Sequence, residues 1–213
     1  MHWTSRALAG AVIAWAAALP AAASASAGGT GADIRVTLST EARQFADTIL
    51  AARDHRGRPF AIVDKRHARM FVFDGGGRLR GATPVLLGQA VGDDTAPNVG
   101  HYAQQGFVPP HMRTTPAGRF VAEPGTNHTG EQVIWVDYDS AFAIHRLRPG
   151  RSYKVRAERL ASPDVTGRRV SAGCVVVPVD FYDDVVHRWL GHGRSVVYVL
   201  PETASIRHVF NAL

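Results

Sequence analysis

Short runs of β-branched and aromatic residues, separated by glycine-, proline- and polar-rich turns, dominate the chain from about residue 60 onward. Such runs are typical of the strands of a sandwich or barrel. The strands predicted in this way are residues 60–63, 70–73, 79–87, 119–122, 133–136, 141–145, 175–177 and 195–200. The three consecutive glycines at 75–77 lie between two of these strands, so they indicate a hairpin turn and not a phosphate-binding loop. The pattern predicts a mostly β domain, a sandwich or barrel of short, mainly antiparallel strands with a few peripheral helices.

Two segments instead repeat their apolar residues at helical spacing. The first can be capped by Ser39 or Thr40, and we expect it to stop at the Gly-Arg-Pro sequence 57–59. Its apolar face is predicted to hold Phe45, Thr48, Ile49 and Ala52. The second begins at Pro178 and stops at Gly191, and proline is well suited to the first position of a helix.

Two long polar segments, 88–114 and 146–169, are predicted to be loops, and loops of this length are usually functional or mobile. The second is strongly basic. Its basic residues are Arg146, Arg148, Arg151, Lys154, Arg156, Arg159, Arg168 and Arg169, against only two acidic ones. This charge is either a solvated surface or a wall that binds an anionic part of a substrate.

The first 27 residues have the pattern of a secretory signal peptide, with a basic start, an apolar run at 7–19 and small residues before the expected cleavage site. The apolar run is shorter than the roughly 20 residues that a spanning helix needs, so no stable membrane span is expected after cleavage. We therefore expect a periplasmic or otherwise exported, envelope-associated protein. Residues 28–57 would form a linker and a packing helix, and residues 58–213 a single domain.

The charge of the chain narrows the class of partner. Removing residues 1–27 takes away one arginine and no acid, which leaves 23 basic and 18 acidic residues. A basic exported protein suits polyanionic envelope material such as peptidoglycan. Nucleic acid is not expected as a partner, because no recognition motif is present.

Cys174 is the only cysteine of the chain, and it ends a Ser-Ala-Gly-Cys sequence directly before a predicted strand. One interpretation is a small core hydrophobe. The other is a reactive thiol. An unpaired thiol in an oxidising compartment is a liability unless it is used, and this favours the reactive role.

The remaining motifs exclude most other chemistry. There is no HExxH or CxxC sequence and no GxSxG sequence, so neither a metal nor a serine nucleophile is indicated, and no cofactor is expected. A Cys–His pair remains, in which an imidazole accepts the proton of the thiol. His145 is favoured, because it ends a predicted strand directly before a polar loop. The alternatives left open by spacing alone are His55, His67, His101, His111, His128, His187 and His192.

From about residue 59 to residue 202 the chain resembles the L,D-transpeptidase catalytic domains of the bacterial envelope. Four pieces carry the resemblance, in the order found in that family: the opening strands at 60–65 and 85–88, the Thr-Pro-Ala-Gly-Arg-Phe sequence at 115–120, Ile144-His145, and Ser171-Ala172-Gly173-Cys174. The second and fourth resemble the family's TPxGxF and S-H-G-C motifs.

The resemblance implies a mechanism and a substrate class. Cys174 would be the nucleophile and His145 the base, and the N–H groups of Gly173 and Cys174 would hold the oxyanion. The reaction would be acyl transfer between peptidoglycan stem peptides through a thioester, without a cofactor. With water as the acceptor, the enzyme would instead be an L,D-carboxypeptidase or a cross-link hydrolase. A chain that had lost the activity would be a non-catalytic peptidoglycan-binding domain.

The chain also departs from the family's pattern. Ala172 stands where many members have a second histidine, Val176 where they usually have arginine, and Arg146 where glycine is common. The separation of His145 and Cys174 is also longer than usual. We expect arginines near the site to replace the missing positive charge. The residues predicted to bind substrate are Ser171, Arg146, Arg168 and Arg169.

Overall fold

The computed structural model describes Met1 and residues 38–211. The predicted signal peptide, most of the predicted linker and the last two residues lie outside this part of the chain. Within it, no helix combines the length and the apolar character that crossing a bilayer requires.

The described part of the chain contains ten short strands, and helices and turns separate them into groups. The strands are β1 (Phe60–Asp64), β2 (Arg69–Phe73), β3 (Leu79–Pro84), β4 (Leu87–Gly88), β5 (Gly118–Thr126), β6 (Gln132–Asp137), β7 (Phe142–Arg146), β8 (Arg169–Ser171), β9 (Val175–Val177) and β10 (Ser195–Leu200). The helices are α1 (Thr40–Ala52), α2 (Val99–Gln104), α3 (Tyr153–Ala161), α4 (Val179–Phe181), a π-helical turn (Tyr182–His187), α5 (Arg188–Leu190) and α6 (Ile206–Val209). Single 3-10 turns lie at Pro110–Met112 and Thr166–Arg168.

Eight strands form one sheet in the order β3-β2-β1-β10-β5-β6-β7-β9, while β4 and β8 pair separately. Neighbours in the large sheet are antiparallel except for the pairs β1–β10 and β7–β9. The chain that leaves β3 crosses to the opposite edge, where Leu86 and Val176 of β9 exchange two backbone hydrogen bonds. The sheet is therefore nearly closed into a barrel. The predicted class, mostly β with mainly antiparallel strands and few helices, is confirmed.

The central strands are buried on both faces, which explains their unbroken apolar runs. On β1, Ala61 and Val63 point into the barrel, while Phe60 and Ile62 point outward beneath α1. A third, smaller cluster lies outside the opposite wall of the barrel. It contains Leu86, Leu147, Leu160 of α3 and Val176 of β9. Helix α3 therefore covers the outer face of β7 and β9.

Helix α1 forms as predicted at its start and differs at its end. The hydroxyl of Ser39 accepts a hydrogen bond from the N–H of Ala42 at 3.0 Å, which caps the helix. The helix ends at Arg53, whose φ of 53° is left-handed, four residues before the expected stop. Thr48 and Ala52 are exposed, so the prediction that they lie on the packing face was wrong.

Other segments also differ from the sequence prediction, and one of them is 88–114, which contains α2 although it was predicted to be a loop. Strand β5 continues to Thr126, because its first half pairs with β10 and its second half with β6. Pro124 is tolerated there because β6 is its only neighbouring strand. Helix α3 lies within the basic segment that was predicted to be a loop. Its single buried residue is Leu160, so its sequence shows almost no repeat of apolar residues at helical spacing.

Candidate active site

Cys174 lies in a tight turn between β8 and β9, and the side chain of Ser171 organises that turn. The Ser171 hydroxyl donates to the carbonyl of Cys174 at 2.6 Å and accepts from the N–H of Gly173 at 3.1 Å. Gly173 adopts φ of +132°, and a Cβ there would lie 3.0 Å from the carbonyl oxygen of Thr114. The turn therefore needs glycine at this position.

The buried Thr115 ties this turn to the rest of the domain. Its hydroxyl donates to the carbonyl of Gly173 at 2.8 Å and accepts from the N–H of Gly88, also at 2.8 Å. Thr115 opens the Thr-Pro-Ala-Gly sequence that was noted as a family-like motif. Its physical role is to fix the backbone one residue before the thiol.

A buried lysine in turn holds the Thr115 segment. The ammonium of Lys65 donates to the carbonyls of Thr115 at 2.9 Å and Gly92 at 2.6 Å, and to a carboxylate oxygen of Asp93 at 2.7 Å. Burial opposes ionisation of Asp93, but the hydrogen bonds from Lys65 and from Thr203 outweigh it and lower the pKa of Asp93 to about 2. The Asp93 carboxylate is therefore ionised at neutral pH, while burial lowers the pKa of Lys65 against the opposing effect of Asp93. The lysine joins two loops beneath the cysteine turn.

The parallel pairing of β7 with β9 brings Cys174 and His145 together. His145 is in register with Val176, and Ile144 with Val175. Cys174 immediately precedes Val175, whose register partner Ile144 directly precedes His145. The cysteine therefore lies at the start of β9, beside the strand that carries the histidine. The sheet thus places side by side two residues that are 29 positions apart in the chain.

The hydrogen bonds of His145 define its tautomer. Its Nδ1 lies 2.7 Å from the carbonyl oxygen of Arg146. A carbonyl oxygen can only accept, so Nδ1 carries the hydrogen and Nε2 is the basic nitrogen. Burial, together with the positive charge of Arg148 and Arg156, lowers the pKa of His145 to about 3.

The thiol, like the imidazole, is neutral. Burial raises the pKa of Cys174, against the opposing effect of a backbone hydrogen bond from Ala143 and the charge of Arg148. The sulfur donates to the carbonyl of Ala141 at 3.5 Å. The resting pair is therefore a neutral thiol and a neutral imidazole, not a thiolate–imidazolium ion pair.

A narrow crevice runs past the cysteine turn. Its lining comes from the loop before α2, the segment 112–116, the β6–β7 turn and the cysteine turn itself. The lining residues are Thr95, Ala96, Val99, Met112, Thr114, Pro116, Ser140, Ala141, Phe142, Ala172 and Gly173. Ala141, which accepts the thiol's hydrogen bond, adopts a left-handed φ of 55°. Strained backbone of this kind is concentrated at functional sites.

The three arginines predicted to bind substrate each have partners within the protein. Arg146 pairs with Asp183 at 2.9 Å. Arg168 is buried and donates to three backbone carbonyls. Arg169 forms an ion pair with Glu202. Their role in substrate binding, like that of Ser171, stays a prediction.

The charges of two other basic residues, Arg148 and Arg156, act on both Cys174 and His145. Arg156 belongs to α3, which the sequence pattern did not predict. The spacing of Arg156, Ala157 and Leu160, which places all three on one side of a helix, is the signal that could have found it.

Two of the other histidines considered as a base have partners elsewhere in the fold. His67 is held by the carboxylate of Asp64 at 2.8 Å, and His55 lies 3.3 Å from the carbonyl of Gly75. Within residues 38–211, no three His, Cys, Asp or Glu side chains converge as a metal site would require.

No family model and no curated protein matches the chain. Several solved structures do. L,D-transpeptidases are among them. The enzyme from Mycobacterium smegmatis is 14% identical, with a TM-score of 0.40, over 67% of this chain and 58% of that one. The catalytic domain from Enterococcus faecium is 18% identical, with a TM-score of 0.34, over 68% of this chain and 98% of that one.

A further match is the helical cell shape determining protein Pgp2 from Campylobacter jejuni, which is 10% identical, with a TM-score of 0.42, over 70% of this chain and 49% of that one. The chain therefore spans 58% of the M. smegmatis enzyme and about half of Pgp2. Similarity at this level decides nothing about activity, so the assignment of function rests on the residues of the site.

Proposed function

We propose that the chain is an exported cysteine acyltransferase that acts on peptidoglycan stem peptides, with the activity of an L,D-transpeptidase. The observation that carries the proposal is the parallel pairing of β7, which carries His145, with β9, which Cys174 directly precedes, together with the backbone carbonyl that holds Nδ1 of the imidazole. Motifs that resemble those of the family surround the pair and contact it, since Thr115 is hydrogen-bonded to Gly173.

The first half of the reaction forms the acyl-enzyme. Nε2 of His145 takes the proton of Cys174 as the sulfur attacks the carbonyl carbon that precedes a terminal D-amino acid. A C–S bond forms, and the carbonyl's π electrons move onto its oxygen. When the tetrahedral intermediate collapses, the C–N bond breaks and the imidazolium gives its proton to the leaving amine.

The oxyanion of that intermediate needs a donor. The N–H of Gly173 is occupied by the Ser171 hydroxyl, whereas the N–H of Cys174 has no partner within the described part of the chain. We therefore assign the oxyanion contact to Cys174, with Gly173 shaping the turn that aims it. One such donor typically contributes a factor of about 100 or more in rate.

The second half releases the acyl group. An amine of another stem peptide loses a proton to Nε2 of His145 and attacks the thioester carbon, the C–S bond breaks, and the thiol recovers the proton. The product is a cross-link. Water in the amine's place gives hydrolysis, which is the carboxypeptidase outcome.

The neutral resting pair has a kinetic consequence. A thiol whose pKa is raised by burial, beside an imidazole whose pKa is lowered, holds little thiolate at neutral pH. Proton transfer to His145 therefore accompanies attack on the bound carbonyl. A small alkylating reagent should accordingly react slowly at pH 7 and faster as the pH rises.

The test is incubation of the purified chain with muropeptides that end in a D-amino acid, followed by mass spectrometry of the products. We expect loss of the terminal residue with cross-linked or hydrolysed product, no turnover in Cys174→Ser, and a rate at least 100-fold lower in His145→Gln. Retention of the muropeptides on the protein without any product would overturn the enzymatic proposal in favour of a binding domain.

A further inference from the structure

Helix α3 places one arginine beside the Cys–His pair. On this helix Leu160 packs against Leu147 and Val176, and Val176 is the register partner of His145. Arg156 lies about one helical turn before Leu160, so the two residues are on the same side of α3. Its side chain therefore leaves α3 on the side that packs against β9.

The charge of Arg156 is not neutralised by the protein. Its side chain is half-buried, and its Nε is buried without a hydrogen-bond partner. It forms no ion pair with any of residues 38–211. The charge of another cation, Arg148, acts on Arg156, and Arg148 is itself paired with Glu131. A buried donor without an acceptor costs stability, so this geometry is suited to an anion that arrives from outside.

We propose that Arg156 binds the terminal carboxylate of the D-amino acid that leaves the donor peptide, an inference that rests on the proposed acyl transfer. His145 protonates the leaving amine, and in an α-amino acid the carboxylate carbon is two bonds from that nitrogen. A cation that holds this carboxylate must therefore lie next to the imidazole. Arg156 meets this condition, because it lies on the side of α3 that packs against Val176, the register partner of His145.

The assignment also accounts for a departure in the sequence. Valine occupies position 176, where the resembled family usually has arginine, and here Val176 packs against α3. The helix that covers the valine brings its own arginine to the site. Arg156 is thus a substrate-binding residue that sets specificity, without taking part in proton transfer.

The experiment compares donor peptides that differ only at the carboxylate. The values of kcat/KM are measured for a donor peptide ending in D-alanine and for the same peptide ending in D-alaninamide. A third donor keeps the free D-alanine terminus but carries an amide in place of a side-chain carboxylate within the peptide. The intact protein should prefer the free terminal acid over the amide by about 10- to 100-fold, the range of a hydrogen bond to a charged group. Amidation of the side chain should change kcat/KM by less than threefold.

Substitution of the arginine should remove the preference. In Arg156→Met the ratio of acid to amide should fall close to one, mainly through loss of the acid donor, and Arg156→Lys should restore part of it. The matched control is Lys154→Met, which removes an exposed positive charge from the same helix and should keep the full ratio. The melting temperature of Arg156→Met should equal or exceed that of the intact protein, because an uncompensated charge has been removed.

Two results would overturn the inference. One is an equal fall of kcat/KM for the acid and the amide donor in Arg156→Met, with an unchanged ratio between them. That outcome would mean that Arg156 has a structural role or acts on the thiol. The other is a preference that follows the side-chain carboxylate and not the terminal one. Either result leaves the proposed function intact, provided that Cys174→Ser is inactive.

Failure of the proposed function has a different signature, namely no turnover of any donor by the intact protein. The inference can still be decided in that case by protection of Cys174 from iodoacetamide. N-acetyl-D-alanine should protect the thiol better than N-acetyl-D-alaninamide, and Arg156→Met should abolish the difference. Equal protection by the two compounds would contradict the inference.

Discussion

Replacement of Thr115 by valine tests how the nucleophile turn is held. Valine has nearly the shape of threonine but no hydroxyl, so packing is kept while two hydrogen bonds are lost. These are the donation to the carbonyl of Gly173 and the acceptance from the N–H of Gly88, each at 2.8 Å. Thr115 is fully buried, so no water replaces the hydroxyl.

The cost follows from the groups left behind. Each buried backbone group without a partner costs about 1–3 kcal/mol, so the two together should lower the free energy of unfolding by roughly 2–6 kcal/mol. The carbonyl of Gly173 also fixes the peptide directly before Cys174. A shift of this peptide should reduce turnover at least 10-fold, because a displacement of about 1 Å at a reacting atom can cost about 100-fold.

Urea unfolding followed by tryptophan fluorescence measures the first effect, and kcat/KM on the donor peptide measures the second. The slope of the urea dependence should stay unchanged, so that the midpoint alone reports stability. Thr126→Val is the matched control, since Thr126 is an exposed strand residue, and it should change stability by less than about 0.5 kcal/mol. A Thr115→Val protein as stable and active as the control would refute the role of this clamp.

Three further predictions follow from the buried polar groups and the strained turn. Lys65→Met should lower the free energy of unfolding by about 3–5 kcal/mol in urea titrations, because it leaves the Asp93 carboxylate buried without its cation. The double variant Lys65→Met/Asp93→Asn should lose less stability than the sum of the two single variants. Strict additivity would show that the pair is not coupled. The pKa of His145 is lowered to about 3 in the folded protein against 6.5 when unfolded, so the unfolded state binds the extra proton between these values and stability falls as the pH drops from 6.5 towards 3. This amounts to roughly 3 kcal/mol between pH 7 and pH 4, and urea titrations across this range should show a smaller loss for His145→Gln; an identical loss would contradict the buried, neutral imidazole. Gly173→Ala should slow alkylation of the thiol by iodoacetamide and cost about 1–3 kcal/mol in melting experiments, because φ of +132° is strained for alanine and the new methyl group meets Thr114; a neutral result would show that the turn can relax.

The strands were predictable because most of them are apolar without interruption. Residues 60–63 and 195–200 lie in central strands that are buried on both faces, so their limits could be placed to within a residue or two. Helix α1 was predictable from its serine cap and its amphipathic spacing, but its end was not. Arg53 adopts a left-handed conformation that no local pattern in the sequence predicts.

The candidate site depends on contacts that are remote in sequence. No local pattern states that β7 and β9 pair in parallel, and this pairing alone sets His145 beside Cys174. Sequence spacing left several histidines open, and only the resemblance to a family favoured one of them strongly. Helix α3 was missed because only Leu160 among its residues is buried, so Arg156 was counted with the other charges of a supposed loop.

The buried Lys65–Asp93 pair was likewise invisible in the sequence. Both residues stand next to turns, where charged side chains are normally solvated. In the folded chain two loops enclose the lysine, and their carbonyl and carboxylate oxygens accept its three hydrogen bonds. Its position next to β1 gave no indication of a role beneath the nucleophile turn.

The most direct test of the proposed chemistry is to trap the acyl-enzyme. The protein is mixed with a donor peptide ending in D-alanine, quenched in acid within its first turnover, and examined by intact-mass and peptide mass spectrometry. The account predicts an adduct on Cys174 with the mass of the donor acyl group without its terminal residue. The adduct should be absent in Cys174→Ser and should form about 100-fold more slowly in His145→Gln. Product formation by Cys174→Ser, or an adduct that forms equally fast without the imidazole, would contradict it.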